Sequence, residues 1–234
     1  MDLNSMIIPV IDLKNGEAVS GKSGMRNTYK PLKTVFYGSS DPIGIAMAIK
    51  DAGFKEIYVA DLDAIDGEGF NLNVVSKMNN ILPVMLDSGV NTIEGVKKVL
   101  NSVKKVIIAT ETLKSLDDLE MIFSSFNKED LVMSVDVKDG KILGKHIKTD
   151  FKDIINKIQQ IKPAEIILLD ISRVGTGNTV DHELISRFMG LETELIIGGG
   201  VTDQNIDELT ELGVQNFLVG TSLHAGIFNQ ISQY

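Results

Sequence analysis

Two aspartates attract attention because each follows an apolar run and precedes a Lys-Asx-Gly turn. Asp12 lies in Ile11-Asp12-Leu13-Lys14-Asn15-Gly16, and Asp136 in Val135-Asp136-Val137-Lys138-Asp139-Gly140. Lys-Asn-Gly and Lys-Asp-Gly are good turn formers, so each aspartate could merely open its turn. Turn chemistry does not, however, require a carboxylate directly after an apolar strand, twice, half a chain apart. Two carboxylates held over opposite faces of one substrate can divide a proton transfer, one as base and one as acid, if their surroundings separate their pKa values. Asp12 and Asp136 are the catalytic candidates.

A second group of residues suits an anion. Gly198-Gly199-Gly200 follows Leu195-Ile196-Ile197 and precedes a helix expected to begin near Thr202, and Gly220-Thr221 follows Phe217-Leu218-Val219. Glycine lets backbone N–H groups approach a ligand closely, and a helix N-terminus favours negative charge. Gly199, Gly200, Gly220 and Thr221 therefore form the expected phosphate site; ordinary strand-to-helix turns are the alternative. The matching first-half positions are Asp87, Ser88 and Ala109. A carboxylate there repels phosphate and side chains crowd the backbone, so one cradle is expected and its twin is not.

Arg173, Arg26 and Lys22 could each contact an anion, although exposed basic side chains are usually only solvated. His224, near the expected start of the last helix, could do the same or lie on the surface. Asp61 and Asp170 end two further apolar runs and could order the neighbouring loops or the ligand. Residues 16–40, rich in Gly, Ser, Lys and Tyr, make a long connection that could close as a lid.

The elements that must position these groups are legible as an alternation. Apolar runs recur at Met6–Ile11, Glu56–Ala60, Leu82–Leu86, Val106–Ala109, Leu131–Val135, Glu165–Leu169, Glu194–Ile197 and Asn216–Val219. Being apolar on consecutive residues, they read as parallel strands buried on both faces. Amphipathic stretches of helical length lie between them. Asp41-Pro42, Asn91-Thr92 and Thr202-Asp203 offer helix starts, and Gly53 and Gly213 offer stops. Eight β-then-α units predict a single (β/α)8 TIM barrel over residues 1–234, with an open doubly wound sheet as the alternative.

The pattern also repeats. Besides the two Asp turns, Ala60-Asp61-Leu62-Asp63 returns as Leu169-Asp170-Ile171-Ser172, Ser88-Gly89-Val90 as Gly199-Gly200-Val201, and Ala109-Thr110 as Gly220-Thr221. Four matches in one order predict two half-barrel repeats, approximately residues 1–125 and 126–234. Strands 1 and 5 then face each other, and Asp12 and Asp136 converge from opposite sides on the site at the carboxyl ends of the strands.

Composition narrows the function. With 32 acidic and 23 basic residues, the formal charge is -9, which disfavours a nucleic-acid partner. Zero cysteine excludes disulfides, thiolate nucleophiles and Cys-based metal sites, and His146, His182 and His224 are too dispersed to suggest a metal cluster. MDLNSMIIPVID lacks the basic start and continuous apolar region of a signal peptide, and no run of membrane-spanning length occurs. The chain reads as soluble and cytoplasmic, with neither a membrane partner nor a metal.

Together, MIIPVIDLKNGEAV, YVADLDAIDG, SVDVKDGKI, LLDISRVGTGN, LIIGGGVTDQNIDELTELGV and FLVGTSLHAG resemble the HisA/HisF family of histidine-biosynthesis barrels, nearer its isomerase (HisA) branch. The resemblance spans essentially the whole chain. It implies an Amadori aldose-to-ketose rearrangement of a phosphorylated sugar or sugar-amine, without metal or organic cofactor. It places Asp12 on the family's general base and Asp136 on its second catalytic aspartate, an acid in opening the ribose ring. Gly199, Gly200, Gly220 and Thr221 fall on the second-half phosphate site, and Gly175, Thr176, Asp170 and Arg173 lie in the substrate-facing segment after strand 6.

Several positions depart from the family pattern. Its Gly-Gly-Gly-Ile-Arg after strand 3 is here Asp87-Ser88-Gly89-Val90-Asn91, and its Gly-Thr after strand 4 is Ala109-Thr110. Val174-Gly175-Thr176 stands for Asp-Gly-Thr, Leu169 for a catalytic threonine, and Ser20 for a loop-1 arginine. These departures suggest one strong phosphate site and a divergent branch of the family. Two alternatives accompany the isomerase reading: a HisF-like cyclase or lyase fed with ammonia by a glutaminase partner, and a noncatalytic sugar-phosphate binder.

Overall fold

Each of the eight apolar runs forms a strand. In the computed structural model, which describes residues 6–228, these are β1 (Ile7–Lys14), β2 (Ile57–Asp61), β3 (Val84–Asp87), β4 (Lys105–Ala109), β5 (Leu131–Lys138), β6 (Glu165–Asp170), β7 (Glu194–Gly198) and β8 (Asn216–Val219). Successive strands pair in parallel. The ring closes where Ile7, Ile8 and Pro9 of β1 register with Phe217, Leu218 and Val219 of β8. This is a closed (β/α)8 barrel, not the open sheet.

Side-chain parity decides what faces the centre. Ile8, Tyr58, Met85, Ile107, Val132, Ile167, Ile196 and Leu218, one from each strand, form a single apolar cluster. Alternate residues such as Ile7, Ile11, Val59 and Leu86 belong to a larger cluster outside it, shared with helix residues. Because side chains alternate with period two, the inner face continues from Ile8 to Asp12, from Met85 to Asp87, and from Val132 through Ser134 to Asp136. The aspartates thus crown the barrel interior.

Helix starts follow local capping chemistry. Asp41 accepts from the N–H groups of Ile43 and Gly44 at the start of Pro42–Asp51, and Thr92 accepts from Gly95 N–H at the start of Ile93–Leu100. Gly53 and Gly213 adopt positive φ of 93° and 98°, as stops require. The start expected near Thr202 is displaced to the helix Ile206–Glu211. Asn205 causes the shift: its Oδ1 accepts from Thr202 N–H and its Nδ2 donates to the Gly200 carbonyl, both at 2.9 Å, closing a turn before the helix.

The connection after β1 is more ordered than its composition suggests. Glu17–Ser20 folds back antiparallel on β1, and Lys30–Pro31 pairs with it in turn. Lys141–Ile142 folds back on β5 in the same manner. Both hairpins turn through consecutive positive-φ residues, Asn15 and Gly16 at 52° and 79°, Asp139 and Gly140 at 51° and 72°. Such tight turns favour Asx-Gly. The turn reading therefore accounts for Asn15-Gly16 and Asp139-Gly140, while Asp12 and Asp136 lie upstream, inside the strands.

Among the described residues no helix is long and apolar enough to cross a membrane. Residues 1–5, on which the reading of the N-terminus partly rests, lie outside the described residues.

Candidate active site

A cavity of about 350 Å³ opens at the carboxyl ends of the strands. Asp12 and Asp136 both line it, with Asp87, Glu111, Tyr58 and, from the 16–40 connection, Arg26 and Tyr29. The two catalytic candidates therefore share one chamber.

Their surroundings differ. Asp136 is 2% exposed. Its Oδ1 accepts from the Ser134 hydroxyl at 2.7 Å and its Oδ2 from the Glu111 N–H at 3.2 Å, while its own N–H donates to Thr110 Oγ1 at 3.0 Å. Burial, followed by the charge of Asp87, pushes its carboxyl up to about 7. Asp12 is only half-buried and opens on the cavity. Burial pushes it up to about 6, and the Arg26 guanidinium opposes that rise. Both carboxyls therefore hold a proton more tightly than an ordinary aspartate, and only Asp12 has a cation opposing that rise.

Asp87 is buried, with Oδ1 accepting from Gly89 N–H at 3.0 Å and Oδ2 in a long 3.5 Å contact from the Tyr58 hydroxyl. Burial raises it to about 6. Burial and the charges of Asp87, Asp136 and Asp12 hold the Tyr58 phenol protonated, well above its ordinary value. This end of the chamber is lined with oxygen acceptors, as the acidic residue at position 87 suggests.

The opposite wall is the glycine-rich one. Gly199, Gly200, Gly220 and Thr221 all border the chamber. Among the described residues, no turn or cap hydrogen bond takes the N–H groups of Gly199, Gly200, Gly220, Thr221 or Ser222. The glycines have different structural reasons. A Cβ on Gly199 would lie 2.3 Å from the Asp170 carbonyl oxygen, and one on Gly200 2.7 Å from the Asn178 carbonyl oxygen. Chain packing alone therefore demands glycine at both. At Gly220 the nearest atom to such a Cβ is Val10 Cβ at 3.5 Å, so packing does not require glycine there.

The segment after β6 divides. Arg173 and Gly175 border the chamber, whereas Asp170 and Thr176 do not line it. Asp170 accepts from Ser172 N–H at 3.0 Å and from Arg173 Nε at 2.8 Å. Arg173 also bonds the Thr179 carbonyl and pairs with Asp181. Thr176 is exposed, its hydroxyl donating to the Arg173 carbonyl at 2.8 Å. Gly175 has φ of 67°, and a Cβ there would lie 2.7 Å from the Gly21 carbonyl oxygen, so it lets the 16–40 connection pack closely. Asp61, the counterpart of Asp170, likewise serves its loop, accepting from the N–H groups of Ala64 and Asn71.

The remaining basic candidates are engaged otherwise than with an open anion site. Arg26 pairs with Asp66 at 2.7 Å and Glu111 at 2.8 Å; burial opposes its charge, but these two carboxylates hold it firmly protonated. Lys22 is exposed. His224 is buried between the Val10 carbonyl, 2.8 Å from Nε2, and Thr34 Oγ1, 3.0 Å from Nδ1. Burial lowers its pKa, so the ring is neutral: Nε2–H donates to Val10 and Nδ1 accepts from Thr34. It ties the 16–40 connection to β1.

Motif reading missed Tyr58, Ser134 and Glu111. Counting by twos along β2 and β5 from Ala60 and Asp136 marks the first two as inward-facing. Glu111 follows β4, where no period applies.

A chamber at the carboxyl ends of a closed parallel barrel, with acidic groups set in largely apolar walls, defines the site of a (β/α)8 enzyme architecture. Within that class, the chain belongs to the histidine biosynthesis protein family, whose profile matches residues 6–229. It is 40% identical over 228 residues to an uncharacterized protein of Methanocaldococcus jannaschii, covering 95% of each chain. It is 29% identical to the 1-(5-phosphoribosyl)-5-((5-phosphoribosylamino)methylideneamino)imidazole-4-carboxamide isomerase of Leuconostoc mesenteroides, covering 94% of this chain and 95% of that one. The protein of the same name from Nitrosopumilus maritimus is 30% identical, with 90% and 89% covered.

Proposed function

We propose that the protein is a HisA-like isomerase that carries out an Amadori-type aldose-to-ketose rearrangement on a phosphorylated sugar or sugar-amine. Asp136 protonates the ring oxygen as the C1–O bond opens, and Asp12 removes the proton from C2. The electrons of that C–H bond form the enol, or enamine, that tautomerises to the ketose. One phosphate is anchored by the loops of Gly199-Gly200 and Gly220-Thr221. The observation that carries the reading is a single chamber walled by Asp12 and Asp136, one carboxyl beside Arg26 and the other beside Asp87. The names of the isomerase relatives support it.

Asp87 and Glu111 at the far end favour a ligand with one phosphate over one with two. The matching hairpins after β1 and β5 support descent from a duplicated half-barrel.

The test is a thermal-shift screen of sugar phosphates followed by turnover of each stabilising compound. Asp12→Asn and Asp136→Asn should each abolish turnover and leave stabilisation by phosphate nearly unchanged. Full turnover in both variants rejects the proposal. Leu169 and Val174, apolar on the chamber wall, favour the noncatalytic sugar-phosphate binder as the second reading. Stabilisation without turnover by any compound would select it.

A further inference from the structure

The far end of the chamber buries two carboxyl groups with no basic side chain of its own. Asp87 is 6% exposed and Asp136 is 2% exposed, and both line the cavity. They stand at the carboxyl ends of β3 and β5, on either side of β4, whose inward-facing residue there is the small apolar Ala109. Their hydrogen bonds come from neutral donors: Gly89 N–H and the Tyr58 hydroxyl for Asp87, the Ser134 hydroxyl and Glu111 N–H for Asp136.

Asp87 faces Asp136 from β3, Tyr58 from β2, and Glu111 from the end of β4. Asp12 stands across the chamber on β1. Arg26 reaches in from the 16–40 connection, but its guanidinium nitrogens lie on Glu111 and Asp66, and Lys145 also lies on Glu111, at 3.1 Å. The Arg26 charge still favours the Asp87 carboxylate from a distance, but no basic side chain acts on Asp136. Two buried like charges with no directly paired counter-ion are costly together, and a proton on Asp136 is the least costly remedy.

We propose that Asp87 is a positioning residue for Asp136: as a like charge in the same enclosed end of the chamber, it keeps on Asp136 the proton that an acid must carry. The assignment rests on the isomerase reading for its purpose, but not for its physics. Asp12, across the chamber and also under the Arg26 charge, is left as the carboxylate. The exchange of a glycine for Asp87 at the strand-3 turn would then have traded a second phosphate cradle for control of the proton on the opposing acid.

The test needs no substrate. In protein labelled with 13C at aspartate carboxyl carbons, the Asp136 resonance is identified by its loss in Asp136→Asn, and its titration midpoint is followed by pH. In Asp87→Asn the midpoint should fall by about one pH unit. Asp87→Ser, which removes the same charge with a smaller side chain, should reproduce the fall if the isosteric variant folds poorly. Glu111→Gln, whose parent carboxylate is already paired with Arg26 and Lys145, should move the midpoint less. An unmoved midpoint in both Asp87 variants, or an equal fall in Glu111→Gln, overturns the proposal. Failure of every sugar phosphate to turn over would defeat the isomerase reading and leave this result standing.

Discussion

The Ser134 hydroxyl donates to Asp136 Oδ1 at 2.7 Å, and both residues lie on the inner face of β5, two positions apart. One strand therefore supplies both the proposed acid and the group that orients it. Ser134 is fully buried, and its hydroxyl favours the ionised form of Asp136. Ser134→Ala should lower stability by about 1 kcal/mol and raise the Asp136 titration midpoint. Urea unfolding with an unchanged slope, together with the carboxyl titration, checks both effects. A midpoint that falls would contradict this arrangement.

The three raised aspartates give an unusual pH dependence. Asp12 and Asp87 titrate near 6 and Asp136 near 7 in the folded chain, against 3.8 for the ordinary side chain. Between those values the unfolded chain has released protons that the folded chain retains. Folding takes up protons in that window, so the contribution of these groups to stability falls as pH rises. Melting temperature should decline from about pH 4 to 7 and level off above, and Asp87→Asn should flatten the decline. A profile that rises across this range, or one unchanged by the substitution, would show that these groups do not dominate it.

Arg26 joins the 16–40 connection to the rim through Asp66 and Glu111. Arg26→Gln should speed amide hydrogen exchange across residues 16–40 severalfold, in line with about 1 kcal/mol for a partly exposed pair. It should also raise the Asp12 midpoint, because the guanidinium favours the Asp12 carboxylate. Exchange equal to wild type would mean that the backbone bonds, such as Ser23 N–H to the Val174 carbonyl at 3.0 Å, hold the connection unaided.

Gly199 and Gly220 should respond differently to alanine. At Gly199, φ is 88° and the new Cβ would meet a carbonyl oxygen at 2.3 Å, so Gly199→Ala should cost at least about 1–3 kcal/mol of stability. Gly220→Ala should change stability by less than about 0.5 kcal/mol while weakening thermal stabilisation by sugar phosphates. Denaturant midpoints and ligand-induced shifts separate these effects. Equal destabilisation by both variants would refute the distinction.

Much of this architecture was readable from local patterns. Strand positions followed from consecutive apolar residues, and the starts at Asp41 and Thr92 followed from capping chemistry that acts within four residues. Period two would also have placed Tyr58 and Ser134 inside. The helix expected at Thr202 starts later because the Asn205 side chain turned back onto Gly200 and Thr202, a choice that composition does not dictate. The segment 16–40 read as irregular because its short strands are held by pairing with β1, not by their own hydrophobic pattern.

Eight buried strands, the preference for a barrel and two acids at strand ends were legible along the chain, because they depend on local runs and near neighbours. What each polar group touches was settled by folding. Arg26 and Arg173 face carboxylates of their own chain, Gly199 makes room for the Asp170 carbonyl, and Asp87 shares an enclosed chamber with Asp136. Charge and desolvation act through space, so residues distant in sequence set one another's proton affinity once closure of the barrel brings them together.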